Sequence, residues 1–217
     1  MPNKSALNNL DWKEVASHFR NRVKTSQELL KLHDDKKSNA FAELAIGASN
    51  SAGNYSAAEH PVLMAGIAEN RNWEQRVYDL ATRFRPLTDA GGVPSVIHAA
   101  QIGYLQISVG SELSCMVNPE ICWVCNVRTI WTYIAWTRNP QDAEEQLKLF
   151  RLGSSYSEMA YINWAEPFHP MLGAPLLEIA AEGRARASRG DLDVVPGYRF
   201  LWADAIASYA YGTYHGE

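Results

Sequence analysis

The chain has 217 residues, of which 47% are apolar and 20% are charged, and a formal net charge of −4. This is ordinary globular composition with enough apolar residues for a sizeable core, so it excludes a disordered chain. The small negative charge gives no general attraction to nucleic acid or to an anionic membrane, and we expect neither as a partner.

The amino-terminal region predicts a short tail followed by a long helix. Residues 1–10 are polar, do not resemble a signal peptide, and are expected to form a disordered or loose tail. Asp11 is typical of a helix start, and apolar residues such as Val15 then recur at helical spacing. We therefore predict an amphipathic helix over 12–32. His18 lies on or near the polar side of this helix, where we expect it to be solvated.

The middle and the end of the chain predict shorter helices joined by loops. Residues 95–116 fit a helical and an alternating pattern equally well, so the secondary structure there is ambiguous. We predict helix, because the length suits a helix and the neighbouring segments are helical. The alternative is a minor β-hairpin around 104–117. The other predicted helices span residues 38–48, 57–68, 72–84, 140–152, 157–165, 174–182 and 199–211.

The stretch Asn118–Trp136 is predicted to be the central helix of the molecule. Asn118 can cap the free backbone N–H groups of a first turn, and Pro119 suits the first helical position. Apolar residues occur on nearly every face, which is typical of a buried helix. The apolar run is too short for a membrane span, and Arg128 would lie near mid-membrane depth.

These elements together predict a mainly α fold. We expect an orthogonal or bundle-like arrangement of about seven to nine helices. We see no internal repeat and no low-complexity linker, so residues 11–217 are predicted to form a single helical domain.

Two cysteines in the central stretch are the candidate chemical groups. Cys122 and Cys125 are three residues apart, so on a helix they would share a face. Near a helix start the dipole lowers the pKa of a thiol, which favours reactivity. The functional interpretation is a redox-active pair. The alternative interpretation is two small buried residues in a core helix, where free cysteines are common.

The stretch around Cys122-Trp-Val-Cys125 resembles the CxxC helix of the alkylhydroperoxidase-D and carboxymuconolactone decarboxylase group, which is all-helical. The resemblance covers about twenty residues. It implies a redox pair assisted by an upstream glutamate, a part that Glu112 could play. It also implies a histidine one turn after the second cysteine, but this chain has Thr129 there, so the proton relay would be missing.

The cysteines also bear on compartment and on metal binding. Three cysteines without a signal peptide favour a reducing compartment, and we expect a cytoplasmic protein. A structural zinc site needs four ligands, typically from two short clusters. Here such a site would have to use Cys115, Cys122, Cys125 and a distant histidine such as His169. The sequence indicates no particular cofactor.

Three functions are therefore compatible with the sequence. The first is a thiol-dependent redox enzyme that reduces peroxides or disulfides through Cys122 and Cys125, with Glu112 as a candidate base. The second is a non-catalytic partner protein or homo-oligomer whose aromatic-rich central helix packs on another chain. The third is a metal- or cofactor-binding helical protein. The aromatic residues behind the second function are Trp123, Trp131, Trp136, Tyr156, Tyr161 and Trp164.

Overall fold

The long helix α1 spans Trp12–Asp34 and begins where the sequence predicts. The side chain of Asp11 accepts hydrogen bonds from the backbone N–H groups of Lys13 and Glu14, at 2.9 and 3.4 Å. These bonds satisfy donors that a helix start leaves without an intrahelical partner. The predicted helix over 12–32 is confirmed and continues for two further residues.

The computed structural model describes residues 2–151, 168–192 and 194–216, and the side chains of all of these except 148–151. The helix predicted over 157–165 lies outside this part of the chain. The α-helices after α1 are α2 (Ser38–Ala45), α3 (Tyr55–Ala58), α4 (Pro61–Ala68), α5 (Trp73–Phe84), α6 (Val93–Ala100), α7 (Ile107–Val117), α8 (Val127–Thr137), α9 (Pro140–Arg151), α10 (His169–Arg189) and α11 (Arg199–His215). Short 3-10 helices span Lys4–Leu7, Ser51–Gly53 and Ala90–Gly92.

The prediction of a mainly helical fold is confirmed, but the number of helices is higher than predicted. The described residues contain eleven α-helices, against a prediction of seven to nine. They contain no strand, so the alternative β-hairpin around 104–117 is wrong. Residues 107–117 form α7 instead. The count differs because segments that we predicted as single helices are interrupted by turns, as at residues 101–106 between α6 and α7.

Helix α7 occupies the centre of the fold, because all eleven of its residues are buried. It packs against α1, α3, α5, α6 and α11. Around it, α1 also packs against α2 and α11, while α8 packs against α9, α10 and α11. Side chains from several surrounding helices can therefore meet at α7.

The predicted central helix Asn118–Trp136 is wrong in its first nine residues, nearly half of its length. Residues 118–126 are not helical, and α8 begins only at Val127. The side-chain amide of Asn118 donates to the backbone carbonyls of Phe84 and Leu87, so it closes the end of α5 rather than starting a helix. The true cap is Asn126, which forms a reciprocal capping box with Thr129.

The buried apolar side chains form one continuous cluster. It includes Leu7 and Leu10 from the amino-terminal segment as well as Ile206 and Ala210 near the other end of the described chain. The division of the chain into a loose tail (1–10) and one domain (11–217) stays a prediction.

Candidate functional site

None of the three cysteines forms a disulfide, and all three are fully buried in the core. Cys122 and Cys125 lie in the non-helical segment between α7 and α8, so neither benefits from the start of a helix. Burial raises the pKa of Cys122 to about 12, and a weaker hydrogen bond with Ser114 acts in the opposite direction. Burial also raises the pKa of Cys115. A thiol must ionise to act as a nucleophile, and these surroundings oppose it.

The predicted thiol-dependent redox function is therefore wrong. It required two water-accessible sulfurs on one helix face, with a lowered pKa. The cysteines form no disulfide, are buried and belong to the apolar core cluster. Here the alternative interpretation, in which the two cysteines act as small core residues, describes Cys122 and Cys125.

The candidate metal ligands do not form a metal site. Across residues 2–151, 168–192 and 194–216, no group of three or more His, Cys, Asp or Glu side chains is arranged to hold an ion. His169 is buried, its ring stacks on Trp123 at 5.0 Å between centroids, and burial lowers its pKa to about 4. The metal-binding interpretation has no ligand cluster to support it.

The aromatic residues of α8 pack inside this chain. Trp131 and Trp136 are buried, and their indole N–H groups donate to Glu144 and Glu178, at 2.7 and 3.1 Å. The proposal that this helix packs on another chain is therefore wrong. Tyr156, Tyr161 and Trp164 lie outside the described residues.

Glu112 belongs to a buried group of charges that we call the Arg22 cluster, formed by Arg22, Glu112 and Asp204. Arg22 comes from α1, Glu112 from α7 and Asp204 from α11. The Nη2 atom of Arg22 lies 2.9 Å from Glu112 Oε1 and 3.5 Å from Asp204 Oδ2. Its Nη1 donates to the carbonyl of Ala52 at 2.7 Å. All three side chains are at least 96% buried.

The Glu112 carboxylate is fixed by backbone donors as well as by Arg22. The N–H of Tyr55 donates to Oε1 at 2.8 Å and the N–H of Ser56 donates to Oε2 at 3.0 Å. Tyr55 and Ser56 form the first turn of α3, whose free N–H groups suit an anion. The glutamate thus holds a short helix against α7, and it has three donors instead of the thiol partner that the resemblance implied.

The Arg22 cluster contains one guanidinium and two carboxylates, so its charges do not balance if both acids ionise. Burial raises the pKa of Asp204 to about 6, Arg22 opposes this rise and Glu112 adds to it. Buried ion groups contribute little net stability compared with well-packed apolar side chains. Strongly perturbed ionisable groups are concentrated at functional sites, which makes this region the best candidate in the described structure.

A tyrosine and a histidine extend the Arg22 cluster toward the surface. The guanidinium carbon of Arg22 lies 5.1 Å from the centroid of the Tyr55 ring. The ring of His18 stacks on the same Tyr55 ring, with 5.1 Å between the two ring centroids. Burial, with Arg22 as the second cause, lowers the pKa of His18 to about 4. The imidazole is therefore neutral at neutral pH, and it is not the solvated side chain that we expected.

His18 has unused hydrogen-bonding capacity. Its Nε2 atom is buried and has no hydrogen-bond partner. A buried polar atom without a partner costs about 1–3 kcal/mol, so native proteins contain few of them. Such an atom is a position that a bound molecule or water could complete.

His18 borders a cavity of about 270 Å³, which we call the His18 cavity. Its lining residues come from the second turn of α1, the first turn of α8 and the second half of α11. Arg128 is 19% exposed and supplies the positive charge of its wall. The residues that line the cavity are His18, Arg128, Ser208, Tyr209, Gly212 and Thr213.

Arg128 binds Glu59 through only one of its three guanidinium nitrogens. Both carboxylate oxygens of Glu59 accept from the same nitrogen, Nη2, at 2.6 and 2.7 Å. The Nε and Nη1 atoms of Arg128 make no hydrogen bond with any described residue. The guanidinium therefore has donors left for another acceptor at the His18 cavity.

No motif in the sequence marks this site. One signal was present, because Arg22 falls at a core-facing position of α1. The other buried residues at the same alternating spacing of four and three are Val15, Phe19, Ser26, Leu29 and His33. A charge at such a position indicates a buried partner. Asp204 gives a similar signal, since it interrupts a run of apolar residues in α11.

Comparisons with protein-family models, with curated proteins and with solved structures found no match. Among the helices of the described residues, none has both the length and the apolar character that crossing a membrane requires.

Proposed function

We propose that this protein binds a small organic acid in the His18 cavity. Arg128 would provide the positive charge for the acid group, and the neutral ring of His18 would contact the ligand through a hydrogen bond. The observation that carries the proposal is the meeting, at one cavity, of a neutral histidine with an unpartnered nitrogen and an arginine with free donors.

The electrostatics of the cavity favour an anion over a cation. Arg128 is its charged lining residue, and the low pKa of His18 means that the histidine adds no second positive charge at neutral pH. Arginine donors in a fork geometry suit carboxylates better than any other acceptor of similar size except phosphate.

The dimensions of the cavity limit the ligand to a small molecule. A volume of about 270 Å³ lies just below the range of about 300–1,000 Å³ that is usual for drug-sized ligands. Ser208 and Thr213 add hydroxyl groups to the wall, while Tyr209 adds an aromatic ring. Such a lining suits an acid with a short, partly polar carbon chain.

The Arg22 cluster supports the proposal as the rigid wall behind the cavity. It fixes Tyr55, on which His18 stacks, through the contacts of Arg22 and Glu112. A site built on helices and held by buried hydrogen bonds keeps its geometry before the ligand arrives. A protein partner or a homo-oligomer also stays a prediction.

Binding can be tested by calorimetric titration of the native protein with acetate, succinate and inorganic phosphate. We expect at least one carboxylate to bind, and we expect Arg128→Gln to weaken that binding about tenfold or more, since a charged hydrogen bond is worth about 1.5–3 kcal/mol. Arg83→Gln is the matched control. Arg83 is exposed on α5, and its substitution changes the net charge of the protein by the same amount as Arg128→Gln.

His18→Phe separates the two contacts. Phenylalanine keeps a flat ring for the stack on Tyr55 but removes both nitrogens, so we expect weaker binding without a loss of stability. If none of the three probes binds, or if Arg128→Gln binds as tightly as Arg83→Gln, the proposed function is wrong.

A further inference from the structure

Arg128 lines two cavities of different size. One is the His18 cavity, and the other is a smaller cavity of about 30 Å³, lined in part by Ser56, Glu59 and Asn126. Glu59 lines only the smaller cavity. Glu59, which already binds Arg128, is therefore not part of the wall of the His18 cavity.

Glu59 limits the way in which Arg128 can bind a second carboxylate. A guanidinium offers two forked edges to a carboxylate, one formed by Nε and Nη2 and the other by Nη1 and Nη2. Nη2 belongs to both edges, and Glu59 occupies it with both oxygens, at 2.6 and 2.7 Å. Nη2 carries two hydrogens, but a ligand carboxylate that takes either edge has to share Nη2 with Glu59, and the two like charges then repel each other.

We infer that Glu59 is an internal competitor for the ligand and determines the acid selectivity of the His18 cavity. This inference rests on the proposed function. A ligand carboxylate binds Arg128 through a fork only when it displaces Glu59, and Glu59 then turns toward solvent. The Glu59 side chain is 43% exposed, so water can hydrate the released carboxylate at low cost.

The exchange selects for ligands by charge. When Glu59 leaves, Arg128 loses its negatively charged partner. An acid can replace that negative charge, whereas a neutral analogue cannot. Displacement requires no rearrangement of α3, because Glu59 follows the last residue of that helix and its described side-chain hydrogen bonds go to Arg128. Glu112, which holds the other end of α3, keeps its two backbone donors throughout.

The test compares wild type, Glu59→Gln and Glu59→Asp by titration with acetate and with its neutral analogue acetamide. An exposed ion pair is worth up to about 1 kcal/mol, so we expect Glu59→Gln to bind acetate about fivefold more tightly. Glu59→Asp keeps the competing charge and should remain near wild type. Acetamide binding should change in neither variant. Glu69→Gln is the charge-matched control, since Glu69 is exposed at the end of α4.

Carbon-13 resonances of the glutamate carboxyl groups report displacement directly. We expect saturating acetate to move the Glu59 carboxyl signal of the wild-type protein and to leave that of Glu69 unchanged. If acetate binds and depends on Arg128, but the Glu59 signal does not move and Glu59→Gln gains no affinity, this inference is overturned and the proposed function stands. If acetate binds neither wild type nor Glu59→Gln, both are overturned.

Discussion

At the scale of single residues, the site depends on charges that the protein buries together. Arg22 is fully buried and receives two carboxylates, from Glu112 and Asp204. One of them, Glu112, is held by two backbone N–H groups in addition. Asp204 has weaker support, since its distance to Arg22 is 3.5 Å, and burial raises its pKa to about 6. Asp204 therefore holds its proton up to a higher pH than an exposed aspartate does.

The raised pKa of Asp204 predicts how stability depends on pH. The folded state holds the proton more tightly than the unfolded chain, whose carboxyl has the ordinary value of 3.8. Between 3.8 and about 6 the folded protein carries more bound protons, so this group favours folding at low pH and loses that contribution as pH rises through the folded pKa. We expect urea denaturation to show this trend in wild type relative to Asp204→Asn.

The comparison with Asp204→Asn is needed because other buried groups act in the opposite direction. His18 and His169 have pKa values lowered to about 4, so they destabilise the folded state on acidification. Subtracting the variant from the wild type cancels those contributions. A difference in unfolding free energy that stays constant over this pH range would show that Asp204 does not titrate as described.

At the scale of secondary-structure elements, the start of α8 decides where Arg128 lies. Asn126 accepts from the N–H groups of Arg128 and Thr129, and the Thr129 hydroxyl accepts from the N–H of Asn126. This cap begins the helix eight residues later than the predicted cap at Asn118 would. Arg128 is consequently in the first turn of α8, beside Glu59, rather than in the middle of a longer helix.

The capping box gives a prediction about α8. Asn126→Ala removes the acceptor for two backbone N–H groups and should lower the free energy of unfolding by about 1–2 kcal/mol. Asn126→Asp keeps an acceptor oxygen and should recover most of this loss. Denaturant unfolding followed by circular dichroism measures both. Equal stability of Asn126→Ala and wild type would show that the cap does not determine the start of the helix.

At the scale of the whole molecule, the core encloses the three cysteines, which were the first candidate chemical groups in the sequence. Cys115, Cys122 and Cys125 are part of the same continuous apolar cluster as α1, α7 and α11. Their side chains therefore become accessible only when the packing around α7 opens. The sulfurs report the integrity of the fold rather than an activity.

Thiol labelling tests this view of the core. We expect a charged thiol reagent to modify none of the three cysteines in the native protein and all three in denaturant, because all are fully buried. The labelling rate should follow the extent of global unfolding as denaturant is added. Rapid modification of any cysteine in native conditions would contradict the burial that excludes the redox function.

Local signals in the sequence determined the helical class and several helix boundaries. The cap at Asp11 and the periodic apolar residues of α1 depend on neighbours within a few positions, so they could be predicted directly. The apolar character of Ile107–Val117 was also visible, but alternation and helical spacing could not be distinguished there. Its helical structure follows from burial on every side, which is a property of the fold.

The site itself was decided only by the tertiary structure. Arg22, Glu112 and Asp204 are 90 or more residues apart along the chain, and so are His18 and Arg128. No local pattern joins residues at such separations, because their contacts depend on how α1, α7, α8 and α11 pack. The paired cysteines were close in sequence and therefore drew attention first, but burial made them inert. Sequence spacing predicts which groups are neighbours along one element, whereas packing decides which groups meet and which of them reach water.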